Sequence, residues 1–462
     1  QWEKLDKEQV NTNRIVPIYP LTSHMTQQWL RKLIFKVINY WTPRIADYLP
    51  VEIIRNNQLI PLSEAILQIH FPDSEETLEK ARERLAFDEI FVLQLGLLSQ
   101  KLQWQQVTKK PIVVQQQVID TFIESLPFSL TEAQNRVVHE IQGDLAKPYP
   151  MNRLLQGDVG AGKTVIAATS AFGLAKMGYQ TAVMAPTSIL AEQHYQTLTQ
   201  MLSSENLGEN QLEEKEIALL TGDTKKSDRE ILHENLSNGT IKILIGTHAL
   251  IEDEIQFHNL ELVIIDEQHR FGVKQRAALK KKGKNPNLLV MTATPIPRSM
   301  AMTVYGDLDI SILDELPPGR REITTKMVFP QSREKMYAFL QKEIIEGRQA
   351  FIIYPLIEKS EKEQTKAAVE EHKYLQKKVF PDFNVGLMHG RLKPTEKEKA
   401  MREFKSKHYD ILVSTSVVEV GVDVPNASVM VIEGANRFGL AQLHQFRGRV
   451  GRGSDQSYCF LV

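Results

Sequence analysis

The segment 157–164, with the sequence GDVGAGKT, constrains the fold more than any other part of this chain. The run 153–156 before it predicts a short buried strand, and residues 165–176, rich in Ala, Ile and Leu, predict a helix. Strand, glycine-rich loop and helix in this order form a P-loop, in which backbone N–H groups surround phosphate oxygens. A chance glycine-rich turn is the alternative, and the length and context of the motif argue against it. The nucleoside triphosphate is expected to contact Gly157, Asp158, Val159, Gly160, Ala161, Gly162, Lys163 and Thr164.

The apolar run 263–265 ends in two carboxylates, Asp266 and Glu267, which predict the second half of a hydrolysis site. Lys163 is expected on the β- and γ-phosphates, and Thr164 and Asp266 are expected to hold Mg²⁺. Glu267 is then placed to polarise the attacking water, which favours hydrolysis over transfer to a small substrate. Taken alone, the acidic pair is equally compatible with a turn after a core strand, but the upstream P-loop favours the catalytic interpretation.

The composition is typical of a soluble globular protein, because 42% of the 462 residues are hydrophobic and 24% are charged. This length is enough for about three domains. No apolar run approaches the roughly 20 residues that a membrane helix requires. The single cysteine, Cys459, excludes a disulfide framework, a zinc ribbon or an iron–sulfur cluster within one chain, so we expect a reducing, cytoplasmic setting. The net charge of −1 argues against a globally basic nucleic-acid-binding protein but is compatible with a local basic groove.

Three regions of the chain differ in hydrophobic pattern. Residues 1–120 have apolar residues at helical spacing and predict a helical region, in which Trp29, Tyr40 and Trp41 are interpreted as packing rather than base-stacking residues. In 121–318, and again in 319–462, strands alternate with helices, which predicts two α/β domains with doubly wound parallel sheets. The predicted strands include 182–185, 217–220, 241–245, 262–265, 288–291, 350–354, 385–387, 411–413 and 429–432. We expect the nucleotide in the cleft between the two domains, of which only the first carries a P-loop.

The segment 445–452, QFRGRVGR, carries three arginines in the second α/β domain. A planar guanidinium can bind a γ-phosphate through two N–H groups and stabilise its charge in the transition state. Arg449 and Arg452 are therefore the predicted arginine fingers of the cleft. A solvated basic helix face and a DNA-backbone patch are the alternatives.

Small hydroxyl residues and glycines follow several predicted strands, where open α/β sheets bind their ligands. The segments are 185–188, 221–224, 246–250 and 292–298, and their groups can donate hydrogen bonds to phosphates. Each segment alone is typical of an ordinary turn. The order of all four segments along the chain is not expected of ordinary turns.

Taken together, these motifs resemble those of superfamily-2 helicases and, within that superfamily, the bacterial RecG family of branch-migration DNA helicases. The motor segments that carry the resemblance are 126–131, 157–160, 266–273 and 294–298, and the acidic motif ends in Gln-His rather than Ala-Asp. The upstream segments 15–22, 69–72 and 84–89 favour this family over the transcription-repair coupling factors, which share the motor motifs. The resemblance covers essentially the whole chain.

The resemblance implies two RecA-like domains, ATP and Mg²⁺ as cofactors, and roles for further residues. The adenosine part of ATP is expected to contact Phe128, Gln134, Gly421 and Asp423. The residues implied in DNA-backbone contacts are Pro186, Thr187, Thr221, Gly222, Thr247, His248, His389, Gly390, Arg391 and Thr415. Those implied in coupling hydrolysis to movement are Gln268, His269, Thr292, Ala293, Thr294 and Gln445.

The family also implies partners and further elements. Branched duplex DNA, meaning forks and Holliday junctions, and a single-stranded-DNA-binding protein are the expected partners of a monomer located at the nucleoid in the bacterial cytoplasm. Members carry an OB-fold wedge, of which only the tail is expected before about residue 20, and a helical hairpin and loop after the last motor motif. Because residues 459–462 end within a predicted strand, we expect a truncated C terminus.

We therefore predict an ATP-dependent translocase on duplex DNA that remodels stalled forks and Holliday junctions. A transcription-repair coupling translocase is the enzyme alternative and needs an RNA-polymerase-binding module, which no segment resembles. A primosome-assembly helicase is disfavoured because it needs zinc-binding cysteines. An ATP-gated clamp without turnover is disfavoured by Lys163, Glu267, Arg449 and Arg452.

Overall fold

The computed structural model describes residues 10–12, 14–267, 271, 273–293, 308–315, 322–355, 369–415, 424–451, 453 and 455–462. These residues form two compact units, which divide after Leu102 within a long helix. Among the described helices, none combines the length and the apolar composition that a membrane crossing demands.

The first unit is helical and is stabilised by a small apolar core and one buried ion cluster. Its helices are α1 (Gln27–Trp41), α2 (Val51–Asn56), α3 (Leu62–His70) and α4 (Glu75–Gln105), the last of which continues into the second unit. Ile38 and Phe71 are core residues. The fully buried Arg84 donates to both oxygens of Asp47, over 2.7 and 2.8 Å, and to Asp88 over 2.9 Å. A buried charge is tolerated only when it is paired, so this cluster fixes α4 against the segment before α2.

The interpretation of three aromatic residues in this unit as packing residues is wrong. Trp29, Tyr40 and Trp41 each expose about half of their surface. The rings of Tyr40 and Trp41 contact each other at 5.3 Å between centroids, and the Arg44 guanidinium lies 4.0 Å from the Tyr40 ring centroid. Helix α1 directs Ile38 rather than these rings into the core.

The second unit begins with α5 (Gln116–Ser125) and α6 (Glu132–Leu145), which precede a seven-stranded sheet. The strands are β1 (Asn152–Gly157), β2 (Gln180–Met184), β3 (Ile217–Leu220), β4 (Ile243–Gly246), β5 (Leu260–Asp266), β6 (Asn287–Thr292) and β7 (Asp309–Leu313). Their order is β3-β4-β2-β5-β6-β1-β7, and all neighbours are parallel. The helices between them are α7 (Lys163–Lys176), α8 (Ser188–Leu202), α9 (Lys226–Ser237) and α10 (Val273–Lys280). Parallel strands bring all their carboxyl ends to one edge of the sheet.

A second parallel sheet follows in the same unit. Its strands are β8 (Thr324–Met327), β9 (Gln349–Ile353), β10 (Val385–Met388), β11 (Ile411–Ser414), β12 (Ala427–Ile432) and β13 (Tyr458–Leu461), in the order β10-β11-β9-β12-β13-β8. The helices that accompany them are α11 (Arg333–Ile345), α12 (Pro394–Lys405) and α13 (Leu440–Arg447). The buried faces of the strands form two apolar clusters, one on each side of the sheet.

The predicted fold class, two RecA-like doubly wound parallel-sheet domains preceded by a helical region, is confirmed. All the predicted strands named above are present, with bounds that differ by at most two residues. The domain bounds 1–120, 121–318 and 319–462 remain a prediction.

Candidate nucleotide site and nucleic-acid interface

The P-loop joins β1, which lies between β6 and β7, to α7. Gly162 has φ of 90°, a left-handed conformation that favours glycine, and a Cβ there would collide with Gln134 Nε2. Gln134 Nε2 donates to the carbonyl oxygen of Ala161 over 2.9 Å, and its Oε1 accepts from Thr131 N over 2.9 Å. The Nε2 end of the Gln134 amide therefore supports the loop, the Oε1 end caps α6, and the contact of Gln134 with adenine remains a prediction.

Lys163 begins α7 and lies over the mouth of the loop. Its Nζ donates to the carbonyl oxygens of Gly157 and Asp158, over 2.8 and 2.9 Å. Thr164 follows in the first turn and is partly buried. Phe128 exposes 45% of its surface, so its ring is accessible for the predicted contact with the adenosine part of ATP.

Glu267 follows the end of β5, two strands from the P-loop in the sheet. Its φ of 50° is left-handed, a conformation that is uncommon for residues other than glycine and is often found at functional sites. Burial and the neighbouring charge of Asp266 raise the pKa of Glu267 above its ordinary value. The charges of Lys163 and Arg449 oppose this rise. A carboxylate with a raised pKa is a suitable general base.

Asp266, the last residue of β5, is held from α8. His194 Nε2 lies 2.9 Å from Asp266 Oδ2, and both side chains are mostly buried. Burial by itself would raise the pKa of Asp266, but the hydrogen bond from His194 and the charges of His194 and Lys163 outweigh it and lower that pKa. The carboxylate is therefore kept ionised, as a Mg²⁺ ligand must be.

The segment with the arginines contacts the P-loop across the cleft between the two sheets. His444 Nε2 on α13 lies 3.1 Å from Asp158 Oδ1. Gly448 packs so closely on Val159 that a Cβ there would lie 2.9 Å from the valine Cβ. Arg449 is 4% exposed, and its charge acts on Glu267 as described above. The burial of Arg449 and the effect of its charge on Glu267 are compatible with the predicted arginine finger, which remains a prediction.

The predicted DNA contacts of the first sheet follow three neighbouring strands, β3, β4 and β2. Thr187 is the N-cap of α8 and accepts from Leu190 N over 3.4 Å. Gly222 and His248 are exposed. The residues that follow these strands are Pro186, Thr187, Thr221, Gly222, Thr247 and His248. These loops lie along the half of the sheet edge that does not carry the P-loop.

Arg229 on α9 ties two of these loops together. Its guanidinium donates to the carbonyl oxygens of Thr221 and Thr224, over 3.1 and 3.3 Å. It also donates to Glu252 Oε2 over 3.0 Å, and Glu252 directly follows the short helical turn at His248. One side chain therefore fixes the loop after β3 relative to the loop after β4.

The predicted DNA contacts of the second sheet follow β10 and β11, which are neighbours at one end of that sheet. Gly390 and Arg391 are exposed, whereas Thr415 is buried. Burial and the positive charges of Lys397 and Arg391 lower the pKa of His389 below its usual value. This loop therefore has a positive local potential, which suits contacts with phosphates.

Several predicted site residues lie outside the described part of the chain. They are Arg452, Gly421, Asp423, Gln268, His269 and Thr294. Of the other predicted coupling residues, Thr292 and Ala293 are buried at the end of β6, beside β1, and Gln445 lies on α13. Every role assigned from the sequence to an individual residue remains a prediction.

His194, His444 and Arg229 contact the candidate site, and the sequence did not predict them. Each contacts a predicted site residue or loop through a side chain, but no spacing rule for a short motif includes them. The one available signal was position, because His194 lies on the helix that follows a predicted DNA-contacting loop and His444 lies next to the arginine segment.

The described residues can hold Mg²⁺ only together with other ligands, namely water and substrate phosphates. Among the described residues, no group of three or more His, Cys, Asp and Glu side chains could hold a metal by itself. Mg²⁺ commonly takes one or two protein ligands together with water and substrate phosphates. The ionised Asp266 and the Thr164 hydroxyl satisfy that requirement.

Two helicase family models match the two α/β domains. The DEAD/DEAH box helicase model matches residues 131–303, and the helicase conserved C-terminal domain model matches residues 327–454. The ATP-dependent DNA helicase RecG of Synechocystis is 53% identical over 97% of this chain. The RecG of Thermotoga maritima is 50% identical over 100% of this chain. The chain belongs to the RecG family.

A solved structure of RecG bound to a three-way DNA junction has the same fold, with a TM-score of 0.80 and 48% identity over 97% of this chain. The chain spans 53% and 58% of the length of the two curated RecG relatives, and 58% of the RecG chain in the solved structure. The RecG matches extend through the helical first unit, which the two motor models do not include.

Proposed function

We propose that this chain provides the ATP-driven motor of a DNA helicase that remodels branched DNA, by reversing stalled forks and migrating Holliday junctions. The observation that carries this proposal is the near-complete match to RecG, including the RecG structure bound to a three-way junction. The contact of the arginine segment with the P-loop supports the ATPase part. The relatives named RecG match this chain through its helical first unit as well as its two sheets, which favours this function over transcription-repair coupling.

In the proposed mechanism, residues around the cleft between the two sheets carry out ATP hydrolysis. Lys163 neutralises the β- and γ-phosphates, and Glu267 orients and polarises the attacking water. Arg449 stabilises the charge that develops on the γ-phosphate. Thr164 and Asp266 would hold Mg²⁺, which would neutralise phosphate charge. Because Arg449 belongs to the second α/β domain, hydrolysis and product release change how the two α/β domains pack against each other.

DNA binding rests on backbone contacts along the loops of both sheets. Loops that present small hydroxyls, glycines and exposed cations can bind phosphates of any sequence. Within the described part of the chain, Thr247 Oγ1, His389 Nδ1 and Thr415 Oγ1 are buried without a hydrogen-bond partner. Such atoms are costly to leave unpaired, which supports these loops as ligand-contacting segments. We also propose that the protein acts as a monomer at the nucleoid, with a single-stranded-DNA-binding protein as partner.

The test is fork unwinding together with phosphate release, with Lys163→Ala as the control. We expect branched DNA to stimulate phosphate release and the protein to unwind a model fork only when ATP is present. Stimulation by plain duplex without any action on forks would favour the coupling-type translocase. No stimulation by any DNA would favour the clamp.

A further inference from the structure

His194 is a mostly buried polar residue of α8 that contacts Asp266 of the candidate nucleotide site but belongs to none of the motifs. Its side chain is 12% exposed, and Nε2 lies 2.9 Å from Asp266 Oδ2. An ionised carboxylate only accepts hydrogen bonds, so His194 donates an N–H to it. This hydrogen bond occupies Oδ2, and the backbone of Glu267 also donates a hydrogen bond to the carboxylate.

The same helix begins at a predicted DNA contact. Thr187, which follows β2, caps α8. Positions 187 and 194 are about two helical turns apart, a distance of about 10 Å along one face of the helix. The strand before α8 also pairs directly with the strand that carries Asp266, since Met184 is in register with Ile265. A rigid helix therefore has a phosphate-contacting residue at one end and the donor to Asp266 two turns later.

We propose that His194 is a positioning residue that orients the Asp266 carboxylate toward Mg²⁺ and transmits DNA contact at the start of α8 to that carboxylate. The inference rests on the proposed function for its DNA part. Its Mg²⁺ part depends only on the hydrogen bond to Asp266. Without the N–H donor from His194, the carboxylate keeps only its hydrogen bond with the backbone of Glu267 and its direction is fixed less firmly.

The first experiment measures binding of a non-hydrolysable ATP analogue by calorimetry, with Mg²⁺ and with EDTA. The variants are His194→Ala, His194→Gln, which keeps an N–H donor, and Gln196→Ala, an exposed position on the same helix. We expect His194→Ala to lose about 10- to 100-fold in the Mg²⁺-dependent part of the affinity, the usual effect of removing such a partner, with unchanged affinity in EDTA. His194→Gln should recover most of this loss, and Gln196→Ala should match the parent protein.

A purely structural role predicts a different pattern. His194→Ala would then lower the affinity with Mg²⁺ and with EDTA alike, and His194→Gln would not restore it. Either that pattern or a normal Mg²⁺ dependence in His194→Ala overturns the positioning role. Thermal melting of each variant checks that the fold is retained, and His194→Gln keeps the test informative if the alanine variant unfolds.

The second experiment tests the transmission along α8 with a double-mutant cycle of Thr187→Ala and His194→Ala. The readout is the ratio of junction-stimulated to basal phosphate release. Two sites this far apart without a shared partner have additive effects, so a non-additive ratio indicates transmission and an additive ratio overturns it. If the parent protein shows no DNA stimulation, the proposed function fails, while the Mg²⁺ experiment still decides the role of His194.

Discussion

The carboxyl edge of the first sheet has two halves that differ in how their residues are held. In the half formed by β5, β6 and β1, side chains hold the site residues directly, as His194 holds Asp266 and Gln134 holds Ala161, and Gly448 of the second α/β domain packs on the P-loop. In the half formed by β3, β4 and β2, the loops are fixed through their backbone, by Arg229 and by helix caps, while Gly222 and His248 stay exposed. Hydrolysis requires a preorganised geometry. A track for DNA requires only phosphate-binding groups at regular places.

The second sheet repeats this division. The predicted DNA contacts follow β10 and β11 at one end of the sheet, whereas the arginine segment follows β12 toward the other end. The predicted effects of mutations should divide in the same way. Changes in the nucleotide half should remove hydrolysis with and without DNA, and changes in the DNA half should alter only the response to DNA.

The largest effect is expected for Lys163→Ala. This change removes the cation that neutralises the β- and γ-phosphates, so phosphate release should be abolished with and without DNA. Circular dichroism and thermal melting check that the fold is intact. DNA-stimulated hydrolysis by a well-folded variant would contradict the P-loop assignment.

Arg449→Ala should lower phosphate release by about 10³-fold or more, both in the basal state and with DNA. ATP affinity should change much less, because the guanidinium acts most strongly as charge develops in the transition state. Arg452→Ala tests the other predicted finger in the same assay. If basal hydrolysis is normal and only the DNA stimulation is lost, the arginine in question contacts DNA rather than ATP.

Arg229→Gln should leave basal hydrolysis unchanged and raise the junction concentration needed for half-maximal stimulation by about tenfold. This is the effect expected from losing a hydrogen bond made by a charged group, here one that fixes two loops predicted to contact DNA. Arg136→Gln is a matched control, because the Arg136 guanidinium donates hydrogen bonds to Asp314 and to the carbonyl oxygen of Ile312, away from these loops. A drop in basal hydrolysis for Arg229→Gln would show that the two halves of the edge are not separate.

The smallest effect concerns the dependence of DNA binding on salt. Affinity should fall steeply as salt rises and vary little with base sequence, because phosphate contacts release counterions. Arg391→Gln should reduce the slope of log affinity against log salt by about one. The slope is measured by fluorescence anisotropy with a labelled junction. A flat dependence in the parent protein, or a strong preference for one base sequence, would argue against a translocase.

The sequence predicted the two sheets well because their central strands are almost entirely apolar. Strands β7 and β8 were not predicted, since both are edge strands, and β8, TTKM, has no buried residue and no apolar pattern. The aromatic residues Trp29, Tyr40 and Trp41 were misassigned because residue type alone does not show which face of a helix is buried.

For the candidate site, local motifs predicted the residues of the phosphate-binding loop and the residues that directly follow a strand. They could not predict contacts between distant segments. His194 and Asp266 are 72 positions apart, and His444 and Asp158 are 286 positions apart. Such pairs depend on the order of strands in the sheet and on the docking of α13, which no spacing in the sequence encodes.

The division of the sheet edge is tested most directly by measuring phosphate release and junction binding in parallel for Glu267→Gln and Arg229→Gln. We expect Glu267→Gln to bind ATP and the junction normally while releasing phosphate about 10²- to 10⁴-fold more slowly, because the amide keeps the shape and loses the base. Arg229→Gln should release phosphate at the normal basal rate and bind the junction more weakly. Normal turnover by Glu267→Gln, or lost basal turnover in Arg229→Gln, would contradict the division of the sheet edge into a nucleotide half and a DNA half.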